Sequence, residues 1–325
     1  MLWSRRQVLA TGLLASASAA APIRTGLAQA IEQLRIFVPA NPGGGWDQTG
    51  RSMEMAMKSA GLIKSAQITN VGGAGGTVGL PQFINQWKGQ GNALMVGGMV
   101  MVGAIIANKA RNNLTETTPI ARLTGEFQVV VVPAASPFRS MADLVAAFKA
   151  DPAKVSWAGG SAGGTDHILA GMIAKAAGGD PRKVAYVAYS GGGPAQAALL
   201  GNQVSCGISG WGEFGEQVRA GKLRALGISA DKRQPGIDVP TLREQGIDVE
   251  LFNWRGVFAP PGISDAQRQS LLDLVDRMVK SPAWAEILKR YDWTDIYLPG
   301  DRYRAYIASE TERIHAILKD LGLAS

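Results

Sequence analysis

Four glycine-rich turns constrain this chain more than any other feature. They are Pro42-Gly43-Gly44-Gly45-Trp46-Asp47, Gly72-Gly73-Ala74-Gly75-Gly76-Thr77, Gly159-Gly160-Ser161-Ala162-Gly163-Gly164-Thr165 and Ser190-Gly191-Gly192-Gly193-Pro194. Each follows a stretch that reads as a strand and precedes one that reads as a helix. Strands that alternate with helices imply parallel βαβ units, so the spacing predicts an α/β fold.

The alternation breaks twice. Gln128 to Pro133 is a β-branched run, and Phe252 to Pro261 is a second extended run; both read as crossings between lobes. With 325 residues there is room for two cores. The expected organisation is a discontinuous first lobe, 31–130 with 253–325, and a second lobe, 131–252, inserted through a two-strand hinge. Ser140 with Asp143 and Ser264 with Gln267 have capping-box spacing and mark helix starts. After residue 261 only helices are expected, packed on the first lobe.

The first 30 residues read as an address. Arg5 and Arg6 precede a short, weakly apolar run to Ala21, and Ala28-Gln29-Ala30 has the form of a cleavage site, which together describe a secretory signal peptide. The paired arginines fit twin-arginine export, with a general secretory signal as the alternative. Losing this segment removes three arginines and no acid, which lowers the formal charge from +7 to +4. Lys and Arg are otherwise scattered, without the basic stripe that nucleic acid requires.

The residues present limit the chemistry. One cysteine, Cys206, excludes an internal disulfide and a thiolate metal cluster, and two histidines, His167 and His315, leave little for metal or acid–base work. Neither a metal nor a cofactor is expected. At a glycine turn the first N–H groups of the helix are unpaired, and the helix dipole favours negative charge there. Such turns facing each other from two lobes would clamp an anion without needing an arginine. The chain has no P-loop and no well-placed G-x-G-x-x-G, which argues against a nucleotide. Gly159-Gly160-Ser161-Ala162-Gly163 does satisfy G-x-S-x-G, so the alternative is an α/β serine hydrolase with Ser161 as nucleophile. It lacks a convincing histidine: His167 follows within the same helix, and His315 sits in the last one.

The turns also carry a resemblance. Ile36-Phe37-Val38-Pro39 with the 42–47 turn, the 72–79 segment, the Ser161–His167 loop, Tyr189 to Ala195, Ala220 to Leu226 and Arg255 to Gly262 together resemble the Bug proteins. These periplasmic receptors belong with the TctC-type receptors of tripartite tricarboxylate transporters. The resemblance implies a two-lobed periplasmic-binding-protein (Venus flytrap) fold of two Rossmann-like lobes. It also implies a small carboxylate ligand, no catalysis, and a membrane transporter or a sensor as partner to a monomeric receptor. Carried over by position, Gly43, Gly44, Gly45 and Asp47 form the first loop, and Ser161, Gly163, Thr165 and His167 the second. Gly75, Ser190 and Gly192 complete the expected set. Asp47 is read as orienting its own loop and His167 as bracing the second. Trp46 departs from the family pattern and either narrows the pocket or packs on the first helix. Trp211 either lines the cleft or joins the core.

Overall fold

The computed structural model describes residues 31–325. The signal expected over residues 1–30 lies outside the described residues. Ten strands join in one sheet: β1 (Gln33–Val38), β2 (Ser65–Asn70), β3 (Ala93–Gly98), β4 (Thr118–Pro133), β5 (Ser156–Gly159), β6 (Ala185–Ala188), β7 (Cys206–Gly210), β8 (Leu223–Ile228), β9 (Phe252–Ala259) and β10 (Thr294–Pro299). Their order is β2-β1-β3-β9-β4-β7-β5-β6, with β8 and β10 also paired to β4.

The helices are α1 (Gly45–Ser59), α2 (Gly79–Gln86), α3 (Met99–Ala107), α4 (Met141–Ala150), α5 (Thr165–Ala176), α6 (Gly192–Leu200), α7 (Trp211–Arg219), α8 (Asp265–Val279), α9 (Pro282–Tyr291) and α10 (Gly300–Asp320). Both predicted capping boxes form, Ser140 with Asp143 on α4 and Ser264 with Gln267 on α8.

Two parallel groups, β2-β1-β3 and β6-β5-β7, flank a central antiparallel pair. That pair is β4 and β9. Residues 118–127 of β4 pair with β9, whereas 128–133 pair with β7 and β8, so one long strand carries the chain from one half into the other. Its apolar run is buried on both faces, as a strand at the middle of a covered sheet must be.

Two elements depart from expectation. The tail is not all helix: β10 pairs antiparallel with the first half of β4, with an irregular register between Asp295 and Leu298. Its residues are only partly buried and alternate poorly, which hid it in the sequence. Helix α3 was also unforeseen, because Met99–Ala107 is apolar on nearly every side and shows no helical stripe. It is wedged between α10 and the loop before α2, which explains that composition. Helix α10 in turn lies on α3 and β4, and the Trp254 indole of β9 donates to Glu310 Oε2 at 2.9 Å.

Candidate functional site

A cleft of about 740 Å³, partly open to solvent, lies over the β4–β9 pair. All four glycine turns reach it. Of the residues expected from sequence, Gly44, Gly45, Trp46, Gly75, Ser161, Thr165, Ser190 and Gly192 line it. The turns from the two halves meet closely: a methyl group on Gly75 would stand 3.4 Å from Ser161 Cβ. The Thr165 hydroxyl donates to Asn253 Oδ1 at 3.2 Å, which ties the start of α5 to strand β9.

Gly43, Asp47, Gly163, His167 and Trp211 stand off the lining, and the first four act on the loops themselves. Asp47 Oδ2 accepts from Gly43 N–H at 3.0 Å and from Arg51 Nε at 2.8 Å, and its Oδ1 accepts from Asn70 at 3.0 Å. Burial pushes the Asp47 carboxyl up, but these donors outweigh it and hold the group below the usual carboxylate range. His167 Nδ1 accepts from Gly163 N–H at 3.2 Å, and its ring stacks on Tyr186 with centroids 4.1 Å apart. The Tyr186 hydroxyl donates to the Gly160 carbonyl at 2.9 Å, so these two rings brace the loop from behind. Burial lowers the His167 pKa to about 4, which leaves it neutral and a poor base. Trp211 is buried with Phe127, Phe214 and Val129 in a core cluster. Trp46 is also buried in a core cluster while one side faces the cleft.

Helices α1, α5 and α6 start at the cleft with glycine at the cap position and no side chain capping their N–H groups. Helices α4, α8 and α9 are each capped by a serine hydroxyl, whereas α2, α3, α7 and α10 also lack a side-chain cap. The cleft therefore receives three helix ends whose donors are free to meet an anion.

The floor carries side chains that the glycine argument missed. Glu126 and Gln128 of β4 share a face with Asn253 and Arg255 of β9, because Glu126 opposes Asn253 and Thr124 opposes Arg255 in the antiparallel register. Gln128, Asn253 and Arg255 line the cleft, so an arginine does stand in it. Its guanidinium pairs with Glu126, both side chains being 3% exposed, and lies over the start of α1. Only glycine fits there, since a methyl group on Gly45 would come 2.9 Å from the Arg255 Cζ. Glu126 also accepts from Trp293 Nε1 at 3.2 Å. Burial pushes the Glu126 carboxyl up to about 7 against the pull of Arg255, and Glu213 adds to the rise. Asp166, in the first turn of α5, accepts from Gly160 N–H at 2.7 Å, yet burial pushes it up to about 7 as well. Glu213, in the first turn of α7, accepts from Ser209 Oγ at 2.5 Å. The sequence did hold a signal for the floor: Thr124, Glu126 and Gln128, like Asn253 and Arg255, are polar at every second position of otherwise apolar strands.

Comparison with known proteins fits this geometry. The chain is 28% identical to a protein of Cupriavidus necator described as the UPF0065 protein in the gbd 5' region, over 98% of each chain. Its fold matches the solved periplasmic binding protein BugD with a TM-score of 0.81 at 22% identity, over 90% of this chain and 98% of that one. It also matches MatC of Rhodopseudomonas palustris, solved with bound malate, with a TM-score of 0.77 at 23% identity, over 88% of this chain and 98% of that one. The fold is thus the two-lobed one of periplasmic binding proteins. The family model of the tripartite tricarboxylate transporter family receptor (TctC) matches residues 51–323. A chain so matched over most of its length is a solute-binding protein and not a hydrolase: it belongs to the receptor family of tripartite tricarboxylate transporters.

Proposed function

We propose that this chain is an exported receptor that captures a small carboxylate by closing two lobes over it. The lobes are residues 31–130 with 253–325, and residues 131–252, hinged on the β4–β9 pair. The observation that carries the reading is the convergence of three helix starts, uncapped by side chains, on one cleft. A carboxylate there meets N–H donors from both halves, with the Ser161 and Thr165 hydroxyls beside it. Its ligands on this reading are di- or tricarboxylates, acidic amino acids or aromatic acids; malate in MatC supports the class. An open form exposes the loops, and the ligand gains donors from both sides only on closure. The closed monomer is then read by the membrane subunits of a tripartite transporter, or by a sensor. Arg5 and Arg6 would direct export to the periplasm by the twin-arginine route.

A thermal-shift screen of residues 31–325 against organic acids, acidic amino acids, aromatic acids and simple esters tests this. An acid at 100 times its Kd stabilises the fold by about 2.7 kcal/mol and raises the melting temperature visibly. A panel in which no acid shifts the protein refutes the receptor reading, and consumption of an ester would restore Ser161 as a nucleophile.

A further inference from the structure

The charges around the cleft do not balance for a ligand that is purely anionic. Arg255 is spent on Glu126. Asp166 and Glu213 both line the cleft, and neither makes an ion pair among the described residues. They flank the same two turns. A methyl group on Gly160 would lie 3.2 Å from Asp166 Oδ2 and 3.8 Å from Gly191 Cα, while one on Gly192 would lie 2.8 Å from Glu213 Oε2.

Unused polar atoms point the same way. Gln128 is 1% exposed and lines the cleft, and neither its amide oxygen nor its amide nitrogen has a partner. Arg255, 2% exposed, has Nε and Nη1 without partners. Buried polar groups left open in this way cost stability unless something fills them. The two kinds of group sit against different turns. The guanidinium lies over Gly45 at the start of α1, whereas the carboxylates lie by Gly160 and Gly192.

We propose that the ligand is a zwitterion: its carboxylate sits at the start of α1 beside Arg255, and an ammonium group sits between Asp166 and Glu213, with the Gln128 amide completing the bonds. This rests on the receptor reading and narrows it to amino acids. A second carboxylate in place of the ammonium would face two acids at close range, and could enter only with protons. Burial raises the Asp166 carboxyl, and Glu213 and Glu126 add to the rise, so a cation placed beside it would relieve a crowding of acids that the fold leaves in place.

The test is calorimetric binding at pH 7.5 with matched probes. Alanine, β-alanine, 4-aminobutyrate, 5-aminovalerate, aspartate and glutamate are compared with propionate, butyrate, valerate, succinate, glutarate and adipate. At least one amino acid is expected to bind about a hundredfold or more tighter than the matching monoacid and diacid. Asp166→Asn with Glu213→Gln should erase that preference and improve the diacid. Should this variant not fold, the selectivity of the unaltered protein decides alone. If a diacid binds tighter than every amino acid, the ammonium site is wrong and the receptor stands. If no carboxylate of any kind binds, the receptor reading itself falls.

Discussion

Replacing Arg255 by methionine removes the cation that faces Glu126 and keeps most of the side-chain length. Both residues are 2% exposed, so water does little to screen the loss. What remains for the carboxylate is one donor, Trp293 Nε1 at 3.2 Å. Stranding one member of a buried ion pair costs about 3–5 kcal/mol. The cost depends on pH in a definite direction. Burial already pushes the Glu126 carboxyl up to about 7 despite Arg255, and without the arginine it rises further. A carboxyl whose folded pKa lies above its unfolded one lends stability at low pH and loses it as pH rises through the folded value. Near pH 5 Glu126 holds its proton in both proteins, and the penalty is smallest. Above pH 7 the penalty grows by up to about 1.4 kcal/mol per pH unit, until the variant also ionises. Urea unfolding at pH 5, 7 and 8.5 reads this directly. The double variant Glu126→Leu with Arg255→Met strands nothing and should return to within about 2 kcal/mol of the unaltered protein. A loss below about 1 kcal/mol for Arg255→Met, flat with pH, is what a solvated pair gives and would refute the reasoning.

Three further outcomes are expected. Burial raises the Asp166 carboxyl to about 7, with Glu213 and Glu126 adding to the rise and Gly160 N–H and Arg255 opposing it, so the ligand-free protein should lose stability as pH climbs from about 4 through about 7. Melting temperatures across that range should fall less steeply for Asp166→Asn; identical slopes would mean the group is solvated. A methyl group on Gly103 of α3 would collide with the Gly163 carbonyl oxygen, so Gly103→Val should hold the second loop off the first half. Calorimetry should then show ligand affinity down about tenfold or more, as when the competent state becomes rare; unchanged affinity would show that this contact has no part in closure. Ser264 caps α8 far from the cleft, and Ser264→Ala should cost about 1 kcal/mol in urea unfolding while leaving affinity alone.

The architecture was legible where local rules act within a few residues. A glycine turn between strand and helix announces itself, and so does a capping box, because cause and consequence lie within one turn of chain. Hence α4 and α8 begin where their serine caps put them, and α1 and α5 begin inside their glycine turns. Helix α3 and strand β10 failed for the converse reason: one is apolar all round and the other half-exposed, so neither carries a period. The cleft divides along the same line. Its rim is backbone, set by glycines at local turns, and those were found. Its floor is set by pairing across the molecule. Glu126 and Arg255 stand 129 positions apart, and nothing near either residue names the other. Only the antiparallel register of β4 and β9 turns two alternating strands into one polar surface. The consequence reaches function. Backbone donors at the rim recognise a carboxylate without regard to what it is attached to, so the part readable from sequence gives the ligand class. On the zwitterion reading, the choice within that class would fall to Gln128, Asp166, Glu213 and Arg255, which only the fold brings together.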